Sequence, residues 1–187
     1  MSDVRAENVR MRRDRRPPLN RVALAALGLA VVGPLAGCSP IQDGKTGITR
    51  DADGHLVGLA QPCEGKYDGA GIFLDDDPNA QTLVHIAEWA RDEPSGDLIT
   101  WRLDESAPSA WTHSKPLTVD STTPGHTYVM DAFGENQKWS ADDLRFTAED
   151  LRAITKDTVL TGEPDSKTGE PGSELVARDV FMRSACE

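Results

Sequence analysis

Three residue types in this chain could do chemistry beyond packing: cysteine at 38, 63 and 186, histidine at 55, 85, 113 and 126, and aspartate in the short runs Asp51-Ala52-Asp53 and Asp75-Asp76-Asp77. Their spacing limits what that chemistry is. No two histidines stand in the H-x-x-x-H or H-E-x-x-H pattern that puts two ring nitrogens on one face of a helix, so a helical zinc site is not encoded. A catalytic site would have to converge from separate elements, with His85, His113, His126 and a nearby carboxylate as its material. The chain also lacks a G-x-S-x-G elbow and a glycine-rich phosphate loop ending in Lys-Ser/Thr. The aspartate runs offer the oxygen ligands that calcium takes, but Asp51 to Leu56 lacks the third ligand and the distal bidentate glutamate of an EF-hand loop. Short Asp/Gly stretches between strands read as turns. No catalytic residue, metal ligand or cofactor is assigned on this basis.

The charge is unevenly distributed. The whole chain carries −11, yet residues 1 to 37 hold seven arginines against three acids, leaving 13 basic and 28 acidic groups, a net of −15, in the remaining 150 residues. A domain this acidic is unsuited to nucleic acid, whose phosphates require a Lys/Arg-rich face. It is also disfavoured on anionic membrane or wall polymers, so a basic protein partner or a neutral ligand suits it better. The arginines precede the apolar run Val22 to Leu35, giving a basic region followed by a hydrophobic one, the pattern of an export signal. Gly28, Gly33 and Pro34 interrupt the run, and it falls short of the roughly 18 apolar residues that a spanning helix needs.

At the end of that run, Leu35-Ala36-Gly37-Cys38 resembles the lipobox of bacterial lipoproteins: a leucine, two small residues and a cysteine. The resemblance covers the signal and the anchor. It implies cleavage before Cys38, a thioether-linked diacylglycerol on its sulfur, and a mature protein tied to the outer face of the cytoplasmic membrane without crossing it. Two acyl chains give stable anchoring where one is marginal. Met11 would give a signal of more usual length than Met1. Arg15-Arg16-Pro17-Pro18 is a partial likeness to a twin-arginine signal with proline where an aromatic or aliphatic residue is expected, which favours the general secretory route. The composition looks like that of an actinobacterial surface lipoprotein. The chain therefore divides into a signal peptide over 1–37, a lipidated N-terminus and polar tether over 38–46, and one domain over 47–187.

With Cys38 given to lipid, Cys63 and Cys186 remain as a pair in an oxidising compartment, and a disulfide between them is expected. The domain itself reads as mainly β. Short apolar or β-branched stretches recur at Gly47–Arg50, His55–Ala60, Asp68–Leu74, Thr82–Ala90, Asp97–Leu103, Thr127–Ala132, Asp143–Phe146, Thr158–Thr161 and Glu174–Met182. Turn residues separate them at intervals that suggest an antiparallel β-sandwich or barrel. The stretch Arg145 to Leu160 faintly resembles the late-strand corner of immunoglobulin-like and fibronectin type III domains, and the sandwich is the expected architecture. One short helix is predicted after Thr147, where Thr147-Ala-Glu-Asp150 forms a capping box with Leu151 and Ile154 behind it. Trp89 and Trp101 fall inside strands and are assigned to the core. Trp111 and Trp139 lie in polar stretches and are the candidate ligand-binding residues, because exposed indoles stack on sugars or anchor interfaces. The expected function is a non-catalytic binding or accessory module of the cell envelope. The alternatives are a small envelope hydrolase or transferase, and a carbohydrate- or wall-binding module using the two indoles.

Overall fold

The computed structural model describes residues 39–76, 84–104, 111–113, 116–164 and 171–186. Cys38 and residues 1–37, read above as a signal peptide, lie outside them, as do Asp77, residues 165–170 and the side chain of His113. The described strands are β1 (Ile41–Arg50), β2 (Leu56–Gln61), β3 (Tyr67–Leu74), β4 (Val84–Ser95), β5 (Ile99–Arg102), β6 (Thr112–His113), β7 (Tyr128–Gly134), β8 (Trp139–Asp142), β9 (Leu144–Phe146), β10 (Thr158–Pro164) and β11 (Pro171–Ala177). Two helices, α1 (Ala148–Ala153) and α2 (Arg178–Ser184), complete the fold.

The strands form one sheet in the order β11-β10-β1-β8-β7-β3-β4-β6, with β2 joining β1 to β5 and β9 pairing with β7. The fold is thus mainly β, as the alternation of strand and turn signals implies, and the sheet curls until it nearly closes into a barrel. The two facing layers of the expected sandwich are walls of one continuous sheet. All strand pairs are antiparallel except β1 with β8.

The β1–β2 hairpin shows how local chemistry sets register. The Asp51 carboxylate accepts the backbone N–H groups of Asp53 and His55, both at 3.0 Å, and Gly54 takes φ +91°. Side chains of this type build their own turn, and glycine supplies the left-handed residue. With that turn fixed, Arg50 faces Leu56 and Lys45 faces Gln61. Alternation then points Leu56 and Ala60 into the barrel, while Leu59 packs on the other face with Val159 and Phe181. Burial on both faces explains why β2 reads as a nearly unbroken apolar run.

The main core fills the barrel, with Trp89, Trp101, Tyr67, Ile72 and Met130 almost wholly excluded from solvent. Trp101 occupies the space beside Gly58, where a Cβ would meet its ring. A second, smaller core lies on the outside, where Phe181 of α2 packs on Leu59 and Val159 and is flanked by Val57, Leu98 and Val176. Full burial of one such ring stabilises by about 2 to 3 kcal/mol.

Four segments differ from the sequence reading, two of them because β6 and β8 form where no strand is expected. The tether expected to run to Thr46 is strand from Ile41 onward, because its polar groups find partners: Asp43 is buried and Thr46 Oγ1 donates to the Asp142 carbonyl at 2.7 Å. The strand expected over Glu174–Met182 ends at Ala177 and continues as α2. Phe181 and Ala185, four residues apart, are the buried pair there. Arg183 between them is exposed, whereas a strand would turn residues 181, 183 and 185 to the same face. The expected helix after Thr147 forms as α1, with Thr147 Oγ1 accepting from the Asp150 N–H and the Asp150 carboxylate accepting the Thr147 N–H. Cys63 and Cys186 form the expected disulfide, with Cα atoms 5.5 Å apart.

Candidate binding site

The two candidate indoles part company. Trp111 is 5% exposed and belongs to the barrel core, its ring centroid 5.2 Å from that of Trp101, with the Arg91 guanidinium 5.3 Å from the ring centre. It cannot share an exposed platform with Trp139, and the expectation of a surface role for Trp111 is corrected accordingly. The polar residues around Trp111 in the sequence conceal that it follows β5 back across the same core as Trp89 and Trp101. Trp139 is half-buried and lies at the rim.

Trp139 begins β8, directly after the β7–β8 turn. In that turn Glu135, Asn136 and Gln137 take φ of 50°, 59° and 65°, three successive non-glycine residues in the left-handed region. Each costs about 1 kcal/mol or more relative to ordinary backbone, and such strain persists only where its surroundings hold it. The holding contacts are visible. Trp139 Nε1 donates to Glu135 Oε2 at 3.0 Å, Lys138 Nζ sits 4.8 Å from the ring centre, and the Gly65 backbone lies against the indole where a side chain would collide.

The indole forms one wall of a cleft of about 450 Å³ whose other walls include Ile41, Asp43, Asp142 and the Cys63–Cys186 bridge. Beneath it the Asp43 carboxylate accepts three consecutive backbone N–H groups, from Cys63 at 3.2 Å, Glu64 at 2.8 Å and Gly65 at 2.7 Å. This carboxylate welds the start of β1 to the disulfide loop and fixes the floor under Trp139. Sequence reasoning missed Asp43 and Ile41, which sit in the stretch read as tether. No local signal marks them, since the amides that Asp43 caps lie twenty residues onward.

The remaining candidates have separate partners. His55 Nδ1 lies 3.1 Å from Asp104 Oδ2, His85 Nδ1 lies 3.8 Å from Glu88 Oε2, and His126 contacts Asp76. The Asp76 carboxylate also accepts the Thr127 N–H at 3.1 Å, and Asp75 pairs with Arg145 at 3.0 Å. Asp51, besides its turn bonds, takes the Arg102 guanidinium at 2.8 Å. Burial pushes the Asp51 carboxyl up, but the His55 and Asp53 amides and Arg102 together hold it below its ordinary value. Of the carboxylates considered for calcium, Asp51, Asp53, Asp75 and Asp76 are engaged in turns and ion pairs, and Asp77 lies outside the described residues. Among the described residues no three of His, Cys, Asp and Glu converge to hold a metal ion.

No protein-family model, curated protein or solved structure matches this chain.

A partly buried acidic group lies on β7, beside β8. Asp131 on β7 accepts a hydrogen bond from Ser140 Oγ at 2.9 Å. Burial first, and the charge of Asp143 second, push its carboxyl up to about 7, against the opposing effect of the Ser140 and Ala132 hydrogen bonds. Asp143 is itself raised, chiefly by burial, although Arg145 pulls the other way.

Proposed function

We propose that this chain is an extracytoplasmic lipoprotein, held to the outer face of the cytoplasmic membrane through lipid on Cys38. It acts there as a non-catalytic binding or accessory module whose contact surface is the Trp139 cleft. The observation that carries this reading is the β7–β8 turn, where three left-handed residues fix an indole at the rim of a cleft. Strained backbone of this kind collects at sites where a side chain must be held for recognition. Ile41, half-exposed on the same cleft, is the third residue after Cys38 in the sequence. Three extended residues span about 10 Å. An anchor on Cys38 would keep the cleft close to the membrane, within reach of an envelope protein or an inner-layer wall component.

The environment of Trp139 favours a protein partner over a sugar. Its ring is backed by Gly65 and approached by Lys138, so the indole presents an edge beside Ile41 and leaves little free face for stacking. The net charge of −15 over residues 38–187 adds a preference for a basic partner.

Two experiments test the reading. A Cys38→Ser chain should lose incorporation of labelled fatty acid and leave the membrane fraction, and retention in the membrane would refute the anchor. A photo-crosslinker at Ile41 in the full chain, with co-sedimentation on insoluble cell wall run in parallel, tests the cleft. A crosslink to an envelope protein, or sedimentation with the wall, that Trp139→Ala abolishes supports it. Failure of both in the native chain refutes it.

A further inference from the structure

On the opposite face of β1 from the barrel core, where the start of α2 overhangs β1, β2 and β5, lies a groove of about 320 Å³ whose lining includes Arg50, Arg102 and Arg178 together with Asp51, Thr49 and Thr100. We propose that this groove binds a phosphate group, free or as a monoester, independently of the Trp139 cleft.

The argument begins with where the arginines are. Residues 38–187 contain seven arginines within a net charge of −15, and three of the seven line this one groove. They come from three elements, the end of β1, the end of β5 and the first residue of α2, so the fold and not a local run of sequence brings them together. Asp51 in the lining and Asp53 beside it both pair with Arg102, while among the described residues no carboxylate lies within ion-pair distance of Arg50 or Arg178, so two guanidinium charges stay uncompensated in an otherwise acidic domain.

Each guanidinium is held differently. Arg50 donates from Nε to the Ile154 carbonyl at 3.1 Å, from Nη1 to the Gly54 carbonyl at 2.7 Å, and from Nη2 to the Leu151 carbonyl at 3.0 Å. These acceptors are neutral. They orient the guanidinium without cancelling its charge, and three bonds leave two of its five N–H groups unspent. Arg102 is positioned by Asp51 at 2.8 Å, with Asp53 at 3.7 Å. Arg178 is exposed, and among the described residues no carboxylate lies within ion-pair distance of it.

A guanidinium is a planar fork of donors matched to phosphate and carboxylate oxygens. Charge separates the two. A phosphate monoester carries about −1.5 to −2 at neutral pH and so balances the groove, whereas a single carboxylate leaves one positive charge unmet. The exposed Thr100 adds a hydroxyl at the same wall, and Val57 gives the groove an apolar patch for whatever carries the phosphate.

The test is calorimetric titration of the full chain in neutral detergent micelles with inorganic phosphate, at ionic strength held constant with sodium chloride. Saturable binding is expected. Arg178→Gln should weaken it at least fivefold, while Lys138→Gln, the same charge change on the Trp139 turn, should leave it unchanged. The melting temperature without phosphate should be the same in Arg178→Gln as in the native chain, because among the described residues Arg178 has no ion pair to lose. Absence of saturable binding, equal binding of acetate, or equal losses in the two variants would overturn the proposal. Mixed micelles containing phosphatidic acid locate the source. Competition with added phosphate assigns the group to a lipid headgroup, and its absence, with saturable binding of the free anion, assigns it to a soluble ligand.

Discussion

Cys63 is bonded to Cys186 across 123 positions of sequence, and the same Cys63 donates its backbone N–H to the buried Asp43 carboxylate at 3.2 Å. One residue thus joins the end of the chain, just past α2, to the start of β1. In the chain-entropy model a loop of this length is worth about 5 kcal/mol, and measured values usually run from 2 to 5. The paired variant Cys63→Ala/Cys186→Ala should lose roughly that much in a urea melt. Its α2 amides should exchange before those of β7, since Phe181 and Ala185 are the buried residues that hold that segment. Simultaneous exchange of α2 and the barrel would show that the outer core alone secures the helix.

The raised carboxyl of Asp131 makes a prediction about pH. Its folded value, about 7, lies above the ordinary value of 3.8, so between those limits the folded state holds a proton that the unfolded state has released. Stability contributed by this group is complete below about pH 4 and is lost as pH rises towards 7, by roughly 2 to 4 kcal/mol. Asp131→Asn keeps an oxygen for the Ser140 hydroxyl and removes the charge. Its melting temperature should exceed that of the native chain at pH 8, and the gap should close on descending to pH 4. A pH-independent difference would mean that the charge on Asp131 is not the destabilising element.

Two glycines with nearly equal dihedral angles separate conformation from space. Gly44 has φ +90° and Gly54 φ +91°. A Cβ at Gly44 would be driven into the Gln61 carbonyl, whereas one at Gly54 meets nothing within 4 Å. Gly54→Ala should cost about 1 kcal/mol, the left-handed penalty alone. Gly44→Ala should cost at least 2 kcal/mol more, because β1 must shift off β2 or distort. Equal losses in denaturant melts would place the burden on the dihedral angle and not on the strand contact.

What the sequence disclosed, and what it hid, follows the range of the interactions. The Asp51–Gly54 hairpin, the Thr147–Asp150 cap and the core positions of Trp89 and Trp101 rest on neighbours within a few residues, and their signals are local. The disulfide was legible through the count of cysteines and the oxidising compartment that the lipobox resemblance implies. The strand over Ile41–Thr46 was not, since its polar residues look like a tether until Asp142 and the 63–65 amides are brought to them. The arginine groove was hidden for the same reason: Arg50, Arg102 and Arg178 are each unremarkable in their own stretch and meet only through the β1–β2–β5 order and the overhang of α2. Helix α2 was misread because Val180, Phe181 and Met182 have strand-like composition, although only the Phe181 and Ala185 face is buried.

The two tryptophans that the sequence grouped together should separate cleanly by experiment. Trp111 contributes a nearly buried ring to a row with Trp101 and Trp89, whose centroids are 5.2 and 6.1 Å apart in succession. Trp111→Ala leaves a cavity there and should cost about 3 to 5 kcal/mol in a denaturant melt. Provided the protein is assayed where it remains folded, crosslinking from Ile41 should be unaffected, since Trp111 takes no part in the cleft. Trp139→Ala removes a half-buried ring and the Glu135 hydrogen bond, but it also relieves the turn of one constraint, so the loss should be smaller, about 1 to 2 kcal/mol. That variant should abolish the crosslink. The reverse pattern, a large stability loss at Trp139 with recognition intact and a lost crosslink at Trp111, would mean that the strained β7–β8 turn serves the barrel and not a partner.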